Sequence, residues 1–484
     1  MKQQVTDFLL YRWRYIIGIS VGTIVVLCVL LFTSLLAPGG LRAAEQVSSI
    51  TSDQLSFMHF DPQTVVNLPY HLLQKLSFSV FGVTQLSIKL PSLLFGIIGI
   101  IGIYMLIKTW FRRKIAIIMT IITSTIPVFM FMTQDGTPFI YSFAVSVWLL
   151  TTGTFISRRY TPHILWKIIF LILLALNLYT PLGIYLNIAI ISTLIFHPHI
   201  RHLARKFNPN RVAIATGIGL LVLIPLIFSL INQPKLILQL LGIPGTMPTL
   251  TDNASQLLST FAGFSASNNA LIQPMFSVPI LILLILGLIR LIRVKYTARS
   301  YIIWLWGLLL APIILLSPEY APYTLVLAVI VITMGFDGLI YDWYKLFPLN
   351  PYARVGGLIP LGLIVLGIVV GNSISYGLGY KYAPGTLESF NNDLILLDQA
   401  IESQAHKPEK SLVIVQEHDR AFYELVAKRR DNLQIATPNN APNQLNSIVH
   451  RGAKDRLANS AQNLKYIVVN ARKNDAGRFF VYGQ

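Results

Sequence analysis

Long apolar runs without a charged residue recur along the first 375 residues of the chain. A run of about twenty apolar residues is the length that an α-helix needs to cross the hydrocarbon core of a membrane. The pattern predicts a polytopic α-helical membrane protein with about eleven transmembrane helices, of which the fifth and sixth form a tight hairpin. The predicted spans are residues 15–36, 90–107, 115–133, 138–156, 168–178, 182–196, 212–232, 276–289, 300–316, 322–336 and 355–372.

A different pattern begins at about residue 376, where short helix and strand patterns alternate. It predicts a small α/β domain over residues 376–484, after a transmembrane domain over residues 1–375. This domain has no glycine-rich phosphate loop and no cluster of metal ligands, so we interpret it as an accessory or acceptor-recognition domain. The predicted elements are helix 387–403, strand 411–416, helix 419–430, strand 433–436, helix 442–457, strand 465–470 and strand 478–482.

The composition agrees with a membrane protein. Hydrophobic residues make up 54% of the chain and charged residues only 12%, whereas a soluble domain carries roughly 25% charged residues. These proportions exclude an ordinary cytosolic enzyme and a disordered chain. The single cysteine, Cys28, excludes an intramolecular disulfide and a cysteine-based metal site.

The distribution of basic residues predicts the orientation in the membrane. Of the 24 Lys and Arg residues before position 376, only Arg42, Lys75, Lys89 and Lys235 fall in odd-numbered loops. Because short loops rich in Lys and Arg stay in the cytoplasm, we expect a cytoplasmic amino terminus and a carboxyl-terminal domain outside the plasma membrane. The net charge of +18 is thus a topology signal, and we expect no nucleic acid partner.

Two external loops, residues 37–89 and 233–275, are long and partly apolar, and could cover a cavity that opens to lipid. No predicted span has a charged residue in its middle, which argues against an ion-coupled transporter. Any chemistry is therefore expected at the outer face. The acidic residues of the external loops before position 376 are Glu45, Asp53, Asp61, Asp135, Asp252 and Glu319.

Three motifs in the amino-terminal part carry a family resemblance. They are Arg42-Ala43-Ala44-Glu45 soon after the first span, Asn67-Leu68-Pro69-Tyr70-His71, and the stretch from Phe81-Gly82 to Lys89-Leu90-Pro91-Ser92. In these motifs the chain resembles the dolichyl-phosphate-mannose protein mannosyltransferase superfamily. This is glycosyltransferase family 39, with the GT-C fold, which includes bacterial aminoarabinose transferases. The chain looks like a divergent bacterial member.

The resemblance implies a membrane enzyme that holds a polyprenyl-phosphate sugar in a cavity at the outer face. It implies inverting transfer to a hydroxyl acceptor on a protein, glycan or lipid, with a carboxylate of the first external loop as general base. Glu45 matches that carboxylate, and Asp53 and Asp61 are the alternatives. Because the leaving group is a phosphate, the site needs a cationic clamp rather than a general acid. The external basic residues could supply that clamp.

The chain also departs from the family pattern. Ala44-Glu45 stands where an Asp-Glu pair is usual, and Asn67-Leu68-Pro69 replaces a His or Lys before two prolines. Where some relatives bind a divalent metal, the matching position falls near Val66. We therefore expect no metal and no other cofactor.

Seven further residues are predicted to bind substrate, and each has a structural alternative. Asp135 could orient the sugar or cap the fourth span, and the basic residues could bind phosphate or extend toward the membrane interface. The tyrosines could stack on a sugar or belong to an interfacial aromatic belt. The predicted substrate-binding residues are Asp135, Lys89, Lys235, Asn67, His71, Tyr320 and Tyr323.

The sequence therefore predicts a glycosyltransferase that transfers a hexosyl or pentosyl group from a lipid phosphate. The expected partners are this donor, membrane lipid and a hydroxyl-bearing acceptor. The alternative is a non-catalytic scaffold or degenerate relative, anchored in the membrane, that binds a partner through residues 376–484. A flippase is disfavoured because few polar residues lie within the spans.

Overall fold

The fold is seen in a computed structural model of the chain. Most of the predicted span 15–36, together with Cys28 and His59, lies outside the described residues. The described residues are 20, 22, 24, 40–56, 61–158, 164–245, 249–263, 274–294, 296–346, 351–382, 389–404, 410–430, 432–440, 447–454, 464–469 and 477–482.

Up to Tyr382, the described chain is almost entirely helical. Two short 3₁₀-helices, Pro62–Val65 and Pro318–Thr324, lie in the predicted external loops. The α-helices are α1 (Ala43–Gln54), α2 (Leu68–Phe81), α3 (Gln85–Trp110), α4 (Arg113–Thr125), α5 (Pro127–Gln134), α6 (Phe139–Arg158), α7 (Ile164–Asn177), α8 (Gly183–Phe196), α9 (Pro198–Arg205), α10 (Pro209–Asn232), α11 (Leu236–Leu241), α12 (Leu250–Ala262), α13 (Val278–Arg293), α14 (Ala298–Leu316), α15 (Leu325–Leu346) and α16 (Pro351–Tyr382).

The predicted polytopic helical architecture is confirmed. Among the described residues, six helical segments are long and apolar enough to cross a membrane, and up to eight if each of two bent helix pairs is one span. The bends are 64° between α4 and α5 and 85° between α8 and α9. Each follows from a proline, Pro127 or Pro198, at the first position of the second helix. The expected number of eleven spans stays a prediction.

Glycines allow several helices to cross at close range. A Cβ atom at Gly287 of α13 would lie 1.9 Å from the carbonyl oxygen of Val331 in α15, and one at Gly335 would lie 2.1 Å from that of Leu283. The same holds in α3, where a Cβ at Gly99 would meet Phe143 of α6 at 2.7 Å. These helix contacts therefore require glycine.

Replacing Gly287 with alanine is expected to push α13 and α15 apart. Over-packing of a well-packed site costs about 1–3 kcal/mol, so the thermal unfolding midpoint in detergent should fall. Gly217→Ala in α10 is the matched control, because a Cβ there meets nothing within 4 Å. Equal midpoints for the two variants would contradict this packing.

The carboxyl-terminal part forms a small α/β domain, as predicted. It contains α17 (Asp393–Glu402), β1 (Ser411–Ile414), α18 (Arg420–Lys428), β2 (Leu433–Ala436), β3 (Ser447–His450), α19 (Arg451–Lys454), β4 (Leu464–Val468) and β5 (Phe479–Tyr482). The strand order is β2-β1-β3-β5-β4. Strands β1, β2 and β3 are parallel, whereas β5 runs antiparallel to β3 and β4.

The predicted helix over residues 442–457 is wrong. Its centre is strand β3, which pairs with β1 on one side and β5 on the other and is buried along its whole length. Ile448 and Val449 are β-branched and suit a buried strand. Pairing with distant strands therefore decides the structure here, and among the described residues of this range only the single turn α19 is helical.

This domain packs directly onto the first external loop. One apolar cluster joins Leu41, Phe78 and Ile88 of the amino-terminal part with residues of the domain such as Leu397 and Phe422. Two polar contacts add to it: Lys428 Nζ lies 2.9 Å from Asp53 Oδ2, and Leu41 and Asn391 exchange two backbone hydrogen bonds of 2.8 Å. The domain therefore covers the loop that carries Glu45.

Candidate functional site

Glu45 lies at the first turn of α1 and is completely buried. Its Oε2 accepts a hydrogen bond from the backbone N–H of Arg42 (2.7 Å), and its Oε1 accepts one from the backbone N–H of Gly136 (2.6 Å). The Lys89 Nζ lies 3.6 Å from the same Oε1. The carboxylate thus joins α1, the start of α3 and the turn between α5 and α6.

The local sequence explains the position of the Glu45 carboxylate. Glu45 is the third residue of α1, where a carboxylate can accept a hydrogen bond from the N–H of the residue that precedes the helix and is favoured by the helix dipole. Gly40 has a positive φ of 95°, and a Cβ there would lie 2.5 Å from Asn392 Oδ1. Glycine therefore lets the chain turn into the Leu41–Asn391 bridge before α1 begins.

Lys89 is placed by the start of α3. Gly82 has a positive φ of 66°, and Thr84 and Ser87 then cap the helix reciprocally through their hydroxyls and backbone N–H groups. Lys89 is buried one turn further on, its ammonium has no hydrogen-bond partner among the described residues, and the Phe390 ring centroid lies 5.7 Å away.

Lys89 also lines a cavity of about 290 Å³ between α3 and the carboxyl-terminal domain. One wall includes Leu86, Leu90 and Leu93, and the facing wall includes Leu394 and the ion pair of Asp398 with Arg430. A buried ammonium therefore lies beside a largely apolar cavity and next to a carboxylate.

Asp135 is buried beside Glu45 and pairs with Arg42. The guanidinium donates to both carboxylate oxygens, from Nε to Oδ1 (3.1 Å) and from Nη2 to Oδ2 (2.5 Å), and the Thr137 hydroxyl also donates to Oδ2. The Phe131 ring centroid lies 4.7 Å from the Arg42 Cζ. The carboxylate is thus engaged with Arg42 and Thr137, so the alternative of a cap for the fourth span does not describe this side chain.

A buried polar network fixes α1, α2, α3 and the 135–137 turn to one another. The Gln74 amide donates to the carbonyls of Ile88 (2.9 Å) and Gly136 (3.3 Å) and accepts from the hydroxyls of Ser48 and Ser52. The Ser52 Oγ lies 2.7 Å from His71 Nδ1. Because every Gln74 polar atom is engaged, the network holds the site in one arrangement.

A second connection runs through the Leu-Pro-Ser motif. The hydroxyls of Tyr70 and Ser92 lie 2.8 Å apart, and the Ser92 hydroxyl donates to the Asp135 carbonyl. Ser92 therefore links α2, α3 and the turn that carries Asp135, which gives this residue of the motif a physical role.

Burial shifts the pKa of Glu45 in α1 and of His71 in α2. Loss of solvation raises the pKa of Glu45 above that of an ordinary carboxyl, and Asp135 adds to the rise, whereas the Lys89 charge and the two backbone hydrogen bonds act against it. Burial lowers the pKa of His71 to about 4. His71 is therefore neutral at physiological pH and acts as a hydrogen-bonding group.

The structure brings Glu45, Lys89 and Asp135 together, and His71 joins them through Ser52 and Gln74. Lys235 lies elsewhere. It lines a cavity of about 750 Å³ at the carboxyl-terminal end of α1, and Asp61 lines the same cavity. Lys235 is thus not among the contacts of Glu45, and its predicted role in substrate binding stays a prediction. The alternative acid Asp53 pairs with Lys428 instead.

Three other predicted residues also lie outside the Glu45 contacts. Asn67 has a positive φ of 57° before α2, and its N–H donates to the Tyr179 carbonyl (2.8 Å). Tyr320 and Tyr323 form an edge-to-face pair with ring centroids 5.7 Å apart, and Tyr323 packs on Phe139 at the start of α6. The two tyrosines thus contact aromatic rings, and their predicted part in substrate binding stays a prediction.

Sequence reasoning missed three contributors: the Gly136 N–H, Gln74, and the pairing of Arg42 with Asp135. A Cβ at Gly136 would lie 2.7 Å from Ile88 Cγ2 and 3.1 Å from Glu45 Oε1. The glycine directly after Asp135 was thus a usable signal, whereas nothing in the sequence marked Gln74.

In the part of the chain that the structure describes, no group of three or more His, Cys, Asp or Glu side chains is arranged to hold a metal ion. The nearest cations to Glu45 are instead Lys89 and, through Asp135, Arg42. Independence from a metal stays a prediction.

Comparison with known proteins bears on the fold. Residues 68–228 match a family model described as dolichyl-phosphate-mannose-protein mannosyltransferase. No curated protein matches the sequence. The structure is similar to ArnT from Cupriavidus metallidurans bound to undecaprenyl phosphate, with a TM-score of 0.58, 13% identity, and coverage of 96% of this chain and 98% of that chain. For the apo form these values are 0.59, 13%, 97% and 98%.

A second similar structure is the oligosaccharyltransferase of Archaeoglobus fulgidus tethered with an acceptor peptide containing the NVT sequon. Its TM-score is 0.51 and its identity 12%, and the match covers 86% of this chain and 64% of that chain. At such identities the likeness concerns the fold. The chain is therefore a polytopic membrane protein with the GT-C fold. The expected superfamily resemblance is confirmed by this fold and by the family match over residues 68–228.

Proposed function

We propose that this protein is an integral-membrane, inverting glycosyltransferase. It transfers a hexosyl or pentosyl group from a polyprenyl-phosphate donor to a hydroxyl of a protein, glycan or lipid at the outer face of the plasma membrane. Its amino terminus is cytoplasmic. The observation that carries the proposal is the Lys89 ammonium, which has no hydrogen-bond partner among the described residues. It lines a leucine-rich cavity and lies 3.6 Å from the Glu45 carboxylate.

The donor fits the surroundings of Lys89. A phosphate needs a cation that is not already saturated with hydrogen bonds, and a polyprenyl chain needs an apolar surface continuous with lipid. The leucine wall of the cavity supplies such a surface, and Leu86 itself is exposed on the outside of α3. The ion pair of Arg42 with Asp135, beside Glu45, is a second charged group at the candidate site.

The acceptor chemistry fits Glu45. In the reaction, an oxygen–carbon bond forms between the acceptor hydroxyl and the anomeric carbon, and the bond from that carbon to the phosphate oxygen breaks. The hydroxyl proton passes to Glu45, and the electron pair leaves with the phosphate, whose charge Lys89 stabilises. A raised pKa suits Glu45 to this role, because a base with a pKa nearer to the working pH accepts a proton more readily.

Access to Glu45 requires movement, because its carboxylate is completely buried. Residues 389–392, which we call the covering segment, lie against Lys89 and against the turn that precedes α1. This segment is held by the two Leu41–Asn391 hydrogen bonds and by the contact of Phe390 with Lys89. We propose that the acceptor enters when the covering segment separates from Leu41.

Transfer can be tested with purified full-length protein in lipid nanodiscs. Undecaprenyl-phosphate-linked hexose and pentose are supplied with serine-containing peptides, glycans or lipid acceptors, and the release of free polyprenyl phosphate is measured. The proposal expects release that depends on an acceptor and is lost in Glu45→Gln. Release at the same rate without the protein, or none with any donor and acceptor pair, would contradict it.

The effect of pH gives an independent prediction. The base must be ionised to act, so kcat/KM should fall on acidification at a pH above that typical of a solvated carboxyl. In Lys89→Gln this acidic limb should move to still higher pH, because the Lys89 charge lowers the pKa of Glu45. Lys75→Gln is the control, since Lys75 bonds to backbone oxygens of residues 53 and 55 instead. If the acidic limb of the pH profile stays at the same pH or moves to lower pH in Lys89→Gln, the assignment of Glu45 as the base is contradicted.

The scaffold remains the second candidate because both Glu45 oxygens already accept backbone hydrogen bonds. In that case Glu45 only joins three segments, and the carboxyl-terminal domain binds a partner. A charge-preserving Glu45→Asp change would then affect the unfolding midpoint, and no acceptor-dependent release of polyprenyl phosphate would occur in any variant.

A further inference from the structure

A third cavity lies at the opposite end of the helical bundle from Glu45. Helices α3 and α6 both begin beside the Glu45 site and end at this cavity, with Trp110 and Arg158 in its wall. Its volume is about 560 Å³. This is the end of the bundle where the basic loops lie, which the positive-inside rule assigns to the cytoplasmic leaflet.

Three basic side chains line this cavity: Arg158, Lys167 and Arg299. No carboxylate is among its lining residues in the described part of the chain. The charge of Asp337 acts on Arg299, but Asp337 also pairs with Arg290 at 3.0 Å. Among the described residues, the lining of the cavity thus carries an excess of positive charge.

Lys167 is the least engaged of the three. Only 7% of its surface is exposed, yet its ammonium has no ion pair or hydrogen bond among the described residues and contacts only the Phe207 ring, 4.2 Å from the centroid. Arg299 uses Nη1 to donate to the Trp110 carbonyl (2.8 Å) and stacks near Phe111, which orients its guanidinium at the cavity wall.

Most of the remaining wall is apolar, although four Thr and Ser residues also line it. It includes Leu149 and Leu150 of α6, Phe170 and Leu171 of α7, and Ile190 of α8. Cationic side chains beside an apolar wall match a lipid whose head is anionic and whose tails are hydrocarbon. A free anion would contact only the cationic side chains, and a neutral lipid would contact only the apolar wall.

We propose that this cavity binds an anionic phospholipid of the cytoplasmic leaflet, with its phosphodiester between Lys167, Arg158 and Arg299 and its acyl chains along α6 and α7. Basic pockets between transmembrane helices on the cytoplasmic side suit lipid phosphates. Such a lipid ties α6, α7 and α14 together. The site is separate from the Glu45 site and does not depend on glycosyl transfer.

The test uses purified full-length protein in a neutral detergent. Phosphatidylglycerol is compared with phosphatidylcholine of the same acyl chains and with inorganic phosphate, by thermal unfolding and by native mass spectrometry of bound lipid. The proposal expects phosphatidylglycerol to raise the unfolding midpoint and to remain bound, and the other two to do neither. Equal effects of the two lipids, or an effect of inorganic phosphate matching that of phosphatidylglycerol, would overturn it.

Lys167→Gln should weaken phosphatidylglycerol binding by about tenfold, since a hydrogen bond to a charged group contributes roughly 1.5–3 kcal/mol. Arg201→Gln is the matched control, because Arg201 is exposed on α9 and does not line the cavity, although Ile200 and Leu203 of the same helix do. If Lys167→Gln fails to fold, the exposed Arg158→Gln replaces it. Unchanged binding in the folded cavity variant, or an equal loss in Arg201→Gln, would refute the site.

Discussion

Replacing Glu45 with glutamine is expected to lower sugar transfer by a factor of at least about 10², the lower end of the usual contribution of a general base. Glutamine has nearly the same shape and can keep one of the two backbone hydrogen bonds, but its amide cannot accept the acceptor proton. The measurement is the single-turnover release of polyprenyl phosphate with saturating acceptor. A loss in this rate, with donor binding intact, identifies a chemical role for Glu45.

The same change also leaves Lys89 buried without its counter-charge, and losing one partner of a buried pair costs about 3–5 kcal/mol. Stability must therefore be measured beside activity. Glu45→Asp keeps the charge and shortens the side chain, so it should stay folded with reduced transfer. Asp53→Asn removes another acid of α1, whose partner Lys428 is exposed, and should leave transfer nearly unchanged. If Glu45→Gln stays folded and retains wild-type transfer, Glu45 is not the base.

Locking the covering segment is expected to abolish nearly all transfer in a reversible manner. Leu41 and Asn391 exchange both backbone hydrogen bonds, and residues so paired have Cα atoms about 5.5 Å apart, which is within the range that a disulfide spans. A Leu41→Cys, Asn391→Cys double variant, made with Cys28→Ser, should therefore cross-link on oxidation. Transfer should fall as the cross-link forms and return when reductant is added.

The single-cysteine variants control for the substitutions themselves and should respond to neither oxidant nor reductant. The extent of cross-linking is read from peptide mass spectrometry. A fully cross-linked protein that transfers sugar at the rate of the reduced form would show that the acceptor does not pass the covering segment. In that case the acceptor route lies on another side of Glu45.

Much of the membrane architecture could be predicted from sequence because lipid imposes a simple rule: each crossing segment must be long, apolar and helical. The apolar run at 90–107 thus falls within α3, and the run at 138–156 lies within α6 except for its first residue. The elements of the small α/β domain were harder to predict, because strand β3 depends on pairing with β1 and β5, which are distant in sequence. A local pattern does not contain that information.

The candidate site, too, could be predicted from the sequence only in part. The distance of Glu45 from the first predicted span and the Lys89-Leu90-Pro91-Ser92 motif marked two of its charged groups, because the motif resemblance reflects a shared fold. The pairing of Arg42 with Asp135 joins residues 93 positions apart, and the contact of Phe390 with Lys89 spans a still longer separation. Such contacts depend on how the helices pack. For the same reason, the sequence alone did not show that Lys235 lies away from Glu45.

The most direct test of Glu45 as the general base is a structure of the protein with a polyprenyl-phosphate sugar analogue and an acceptor analogue bound. The account predicts that the covering segment is displaced, that the donor phosphate lies against Lys89, and that the acceptor oxygen is about 2.6–3.2 Å from a Glu45 carboxylate oxygen. An acceptor oxygen bound within reach of a different carboxylate, with Glu45 still enclosed by its backbone hydrogen bonds, would contradict it.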